Sequence, residues 1–124
     1  EEWKTEAYDR GLRRYPWGDE EASCDRAVLT EIRADGVGYL GCGKSGTWPV
    51  CSKERGSSVS GLCDLCGNVE EWTDSPHPEY GGKVVRGGSW SVLLPEQLRA
   101  SWRGNKEPAA RRAGLGFRCV RPSP

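Results

Sequence analysis

Six cysteines stand in a chain of 124 residues, at positions 24, 42, 51, 63, 66 and 119. A small domain in an oxidising compartment uses such an even, dense set to hold loops that its core is too small to hold alone. Cys24, Cys42, Cys51, Cys63, Cys66 and Cys119 are therefore expected to form up to three disulfides, in a pairing that spacing leaves open. Metal ligation and free thiols are the rival uses. Cys63 and Cys66 form a Cys-x-x-Cys, which serves zinc or thiol redox chemistry. Zinc would need a second pair at similar spacing, whereas Cys42 and Cys51 stand nine apart, and the chain has a single histidine, His77.

The remaining composition describes a loop-rich domain. Hydrophobic residues make up 35%, against 17 glycines and 8 prolines, which argues against a helix bundle. Six tryptophans compensate, because each buries a large area. The length suits one domain over residues 1–124 with one modest core. Basic and acidic residues balance at 18 each, so no nucleic acid or anionic membrane is expected as partner. No apolar run approaches the ~20 residues a membrane-spanning helix needs. Basic residues gather late, at Arg99, Arg103, Lys106, Arg111, Arg112, Arg118 and Arg121. Such a cluster suits an anion, though solvated or internally paired faces are commoner.

Along the chain, residues 1–10 favour a short helix with Trp3 and Ala7 on one face and Gly11 placed to stop it. Pro16 breaks regular structure, and Trp17–Gly18 reads as an aromatic plug followed by a turn. Residues 24–60 show no sustained period and read as long loops pinned by Cys24, Cys42 and Cys51. Turns are expected at Gly67–Asn68 and in SPHPEYGG. Three strands are expected at Lys83–Arg86, 98–102 and 115–120. Phe117, Trp72, Trp90 and Trp102 are expected in the core. Arg118, beside a buried Phe117, would then need carboxylate or carbonyl partners.

Several phrases follow one another in order: EEW (1–3), PWGDE (16–20), TWPV (47–50), GLCDLCGNVEEW (61–72), VVRGGSW (84–90), LRASWRG (98–104) and GLGFRCV (114–120). Together they resemble the formylglycine-generating-enzyme (sulfatase-modifying factor) family. The resemblance implies an α+β, C-type-lectin-like fold, loop-rich with short antiparallel strands. Family domains are longer, so the chain is expected to lack their N-terminal portion. A sheet edge would then be open to a partner chain that completes the fold.

The resemblance also bears on chemistry. Members that convert cysteine to formylglycine hold copper with two thiols shortly after RGGS. Here residues 91–97 read SVLLPEQ, and valine, leucine and proline cannot bind a soft metal. Ser89 keeps the RGGS serine, with no thiol beside it. The iron-dependent ergothioneine branch needs several histidines. The resemblance therefore implies a scaffold without catalytic residues and without copper. It implies structural calcium at Asp64, Gly67, Val69 and Glu71, where two carboxylates and two backbone carbonyls leave room for water. The bland alternative has Asp64 capping a turn and Glu71 paired with an arginine. A second family calcium site is not carried over, because Ala27–Leu29 replace its asparagine.

The expected function is a non-catalytic binding or structural module, extracellular, periplasmic or on the cell surface. A protein or small-molecule ligand would meet the loops at 91–97 and 104–113, through Ser89, Ser91, Arg103, Asn105 and Arg111. Two alternatives stand beside it. One is a formylglycine-generating oxidase that uses Cys63 and Cys66 as its redox pair. The other is a subunit of a larger extracellular assembly, completed by another chain through strand addition.

Overall fold

The computed structural model describes residues 1–121. It opens with helix α1 (Glu2–Tyr8). Ala7 is fully buried, and Trp3 and Tyr8 pack on Leu65 and Ala100. The helix stops at Asp9, which adopts a left-handed φ of 42° and returns its N–H to the Thr5 carbonyl. The stop thus precedes Gly11, because an aspartate tolerates this conformation better than most residues. The aromatic plug follows as expected. Tyr15 and Gly18 exchange backbone hydrogen bonds of 2.8 and 3.0 Å, and Trp17 stacks on Tyr15 at 4.9 Å. Tyr15 then joins Ala27, Leu29, Cys66 and Leu98 in the main buried cluster.

Residues 24–60 are loops, as expected, apart from a minimal hairpin of β1 (Glu31–Ile32) and β2 (Gly38–Tyr39) and short 3-10 segments at Leu40–Gly43 and Glu54–Gly56. Two disulfides staple this region, Cys24–Cys42 and Cys51–Cys63. Cys66 and Cys119 are unbridged, so two of the up to three expected bridges form and these two cysteines are not part of the set. Cys66 lies inside the main cluster, where its Sγ–H donates to the Leu98 carbonyl at 2.8 Å. Cys119 is exposed.

The second region is a sheet of β3 (Glu70–Pro76), β4 (Lys83–Arg86), β5 (Gly104–Lys106) and β6 (Leu115–Gly116), in the order β5-β4-β3-β6. β4 pairs antiparallel with both neighbours, while β3 and β6 run parallel. The fold is α+β and loop-rich, with one parallel pairing among its short strands. Val84 and Val85 are buried at its centre.

Three expectations change here. Residues 98–102 are not a strand. Leu98 closes a 3-10 turn (Pro95–Leu98), and Ala100 is buried in irregular chain whose N–H reaches the Arg14 carbonyl. Their alternation reflects burial without a ladder, and the strand begins two residues later. The last strand ends at Gly116, and Phe117 beyond it is 74% exposed. Trp72, Trp90 and Trp102 are half-buried.

Candidate functional site

The turn after β4 builds the site. Gly87 has a φ of 94°, and a Cβ there would lie 2.5 Å from the Leu65 carbonyl oxygen. Only glycine lets the chain pass this close. Ser89 and Trp90 follow. Trp90 is held by its backbone, with its N–H donating to the Asn68 carbonyl at 2.9 Å and its carbonyl accepting from Gly41 N–H at 2.9 Å. Its indole Nε1–H donates to the Ala113 carbonyl at 3.4 Å. Gly114 lies so close to Ser89 that a Cβ would come 2.9 Å from the serine Cβ. The RGGSW turn and residues 112–114 therefore form opposite walls.

Between them lies an open cleft of about 550 Å³. Ser89 and Ser91 face each other across 3.1 Å between their hydroxyls. Glu70 and Lys106 form a largely buried ion pair at 3.3 Å on another wall. Arg112 stands exposed at the rim and makes no ion pair among the described residues. Trp90, Val92 and Gln97 complete the polar and apolar surface. Among the described residues, the cleft thus presents one free cation, one internal zwitterion, paired hydroxyls and an indole.

Of the residues named from sequence, Ser89 and Ser91 line the cleft, while Arg103, Asn105 and Arg111 do not. Asn105 sits in β5 opposite Val84, with its Oδ1 buried and without a hydrogen-bond partner among the described residues. Arg103 and Arg111 are exposed away from the lining. The two expected loops do meet here, through Ser91, Val92 and Gln97 on one side and Lys106, Arg112 and Ala113 on the other. Glu70 and Trp90 went unrecognised, since Trp90 read as core. The late basic cluster was the signal for Lys106 and Arg112.

No cysteine lines the cleft. Cys63 is bridged to Cys51, and Cys66 is buried, with burial pushing its thiol pKa up. The two sulfurs therefore serve different structures, and Cys63 and Cys66 do not face each other as a thiol pair. The Cys51 and Cys63 sulfurs lie within 4.8 Å of the Asp64 carboxylate, but as a disulfide they offer no thiolate to a metal.

Of the oxygen donors named from sequence, Asp64, Gly67 and Val69 lie in the loop before β3 and Glu71 in β3 itself. Asp64 and Asn68 have left-handed φ values of 56° and 66°, which curl the loop. Asp64 Oδ2 accepts the Cys51 N–H at 2.6 Å. Glu71 is 3% exposed, and both its oxygens accept from Arg118, one of them from Nε at 2.8 Å. Arg118 Nη2 also donates to the carbonyls of Cys63 and Asp64, at 3.0 and 3.1 Å. Burial pushes the Glu71 carboxyl up, and Arg118 opposes that shift. Arg118 thus has the partners expected of it, although Phe117 beside it is not core. The donors suit a hard cation in type, but such a cation would share Glu71 with a guanidinium.

The chain matches the family model of the sulfatase-modifying factor enzyme 1-like domain over residues 1–123. It is similar to hercynine oxygenase of Mycobacterium tuberculosis, 34% identical over 86% of this chain and 26% of the oxygenase. It is also similar to the inactive C-alpha-formylglycine-generating enzyme 2 of Mus musculus, 32% identical over 97% of this chain and 41% of that protein. Among solved structures, that of CarF superposes with a TM-score of 0.71 and 27% identity, over 99% of this chain and 46% of CarF. The chain thus spans less than half the length of each.

Proposed function

The chain belongs to the sulfatase-modifying factor enzyme 1-like domain family, and we propose that it serves there as a non-catalytic binding module. One observation carries the reading. From the segment 91–97, within which the resemblance places two copper-binding thiols, Ser91, Val92 and Gln97 line the cleft and offer a hydroxyl, an isopropyl and an amide. None of these is a ligand for a soft metal. Likeness to an inactive formylglycine-generating enzyme supports this reading.

Likeness to hercynine oxygenase supports the opposite one, an oxidative enzyme. This chain, which spans 26% of that oxygenase, itself brings one histidine to such chemistry. His77 is the single histidine, it is not part of the cleft lining, and its Nδ1 accepts the Glu79 N–H at 3.3 Å. The ligand would be a protein segment or small molecule carrying an anionic group for Arg112 and hydroxyl or amide groups for the serines. The two disulfides support a secreted or surface-exposed location. Calcium at Asp64, Gly67, Val69 and Glu71 belongs to the same proposal, as a weakly held structural ion in competition with Arg118.

Turnover is the test. The chain is incubated with copper and a cysteine-containing sulfatase peptide, and separately with iron(II), hercynine and a thiol. No product above the metal-only control is expected. Formylglycine or a sulfoxidised product in either assay would overturn the reading.

A further inference from the structure

A second hollow, of about 340 Å³, lies on the other side of Val92, the one lining residue it shares with the cleft. Its floor is made by Leu29 and Leu98, both members of the main buried cluster. Its walls are unusual. Ile32 is 56% exposed and Leu93 is 61% exposed. Aliphatic side chains that stand open above an apolar floor lose that exposure when a molecule enters between them, and burial of this kind is favourable. The volume is that of a small-molecule site.

The walls are also fixed in place. The Thr30 N–H donates to the Val92 carbonyl at 3.2 Å, and the Thr30 hydroxyl donates to the Trp90 carbonyl at 3.5 Å. Ile32, Thr30 and Leu93 converge over Gly38, where a Cβ would come within 3.3 Å of the first two and 3.9 Å of the third. Cys24, held by its bridge to Cys42, lines the hollow as well. A ligand would therefore meet a surface already formed.

Charge gives the sign of that ligand. Among the described residues, Glu31 is the one charged side chain in the lining. Its Oε2 accepts from Arg33 Nε at 2.8 Å, and the Arg33 guanidinium rests on the Tyr39 ring at 3.8 Å. Glu31 Oε1 has no hydrogen-bond partner among the described residues. Glu96, next to Pro95 of the lining, is exposed and in no ion pair among the described residues. An apolar hollow edged by carboxylate oxygens complements a cation and repels an anion.

We infer that the hollow between β1 and residues 92–98 binds a small aliphatic amine, with its hydrocarbon against Leu29, Leu98, Ile32 and Leu93 and its ammonium on Glu31. This site is separate from the cleft and does not depend on what the cleft binds.

Calorimetric titration of the full chain tests it. The probes are ethylammonium, butylammonium and hexylammonium chloride at constant ionic strength, with hexanol and sodium hexanoate as controls. Affinity is expected to rise about fourfold for each methylene until the hollow is full. Hexylammonium should bind about threefold more tightly than hexanol, as a partly exposed ion pair allows, and hexanoate should bind more weakly than either. Glu31→Gln should abolish the preference for ammonium over alcohol while hexanol still binds. Leu93→Ser should weaken hexylammonium and hexanol alike, by about tenfold. Both variants alter exposed or half-buried side chains, and each should unfold at the temperature of the parent.

Failure of hexylammonium to saturate at tens of millimolar overturns the inference. So does affinity that ignores chain length, hexanoate that binds as tightly as hexylammonium, or a Glu31→Gln chain that keeps the preference. Binding untouched by Leu93→Ser places the amine elsewhere and overturns it too. Self-association that Leu93→Ser abolishes overturns it in favour of a second copy on this face.

Discussion

Residues 24–63 and the sheet of β3–β6 keep their shape by different means. The first region has two disulfides and strands of two residues each. The second has a four-stranded ladder, buried valines and the Glu71–Arg118 pair. Covalent staples let the first region do without hydrophobic periodicity. The sheet must state its packing in side chains, and it recruits the C-terminal segment through one charge pair. Glu71 joins the two regions, because the arginine it holds also grips the carbonyls of Cys63 and Asp64.

The strongest way to break this division is Glu71→Ala. It leaves Arg118 half-buried without its carboxylate, at a cost of about 4 kcal/mol for a broken buried pair. Urea denaturation measures it, and a loss below about 1 kcal/mol would place the pair among surface salt bridges. Next comes removal of one staple by the double substitution Cys24→Ser and Cys42→Ser. The bridge spans 18 residues, a loop whose closure stabilises by about 3 kcal/mol. Amide exchange should accelerate within 24–43 and hardly change in β3 and β4. Acceleration throughout would mean that the two regions share one cooperative unit. The smallest effect belongs to Phe117→Ser in the isolated chain, expected within about 0.5 kcal/mol of the parent. A drop in thermal stability equivalent to about 3 kcal/mol would instead return Phe117 to the core.

Legibility in the sequence followed the same division. Lys83–Arg86 carries adjacent valines and is a strand with those bounds. Gly104–Lys106 is a strand without any β-branched or aromatic residue, imposed by pairing with β4, and propensity is silent about such a segment. Glu70–Pro76 escaped notice for a related reason. Its acidic start reads as loop, yet β4 and β6 pair with it from both sides. The cysteines announced a stapled region but not which would pair, since pairing depends on Cα positions that only the folded chain sets. At the site, the two loops were legible from the phrases around them. Arg103, Asn105 and Arg111 were misplaced because local pattern does not say which way a rim residue faces.

Asn68 carries a consequence of another kind. Its N–H donates to the Val28 carbonyl and its own carbonyl accepts from Trp90. Its side-chain amide donates to the Trp48 carbonyl and accepts the Trp48 N–H. One residue thereby locks three distant stretches of chain through their main-chain atoms, without regard to the side chains at the cleft mouth. Positions 91, 97 and 112 are thus open to combinatorial variation. A library randomised there, with Asn68 and Trp90 kept constant, would explore new specificities on an unchanged frame.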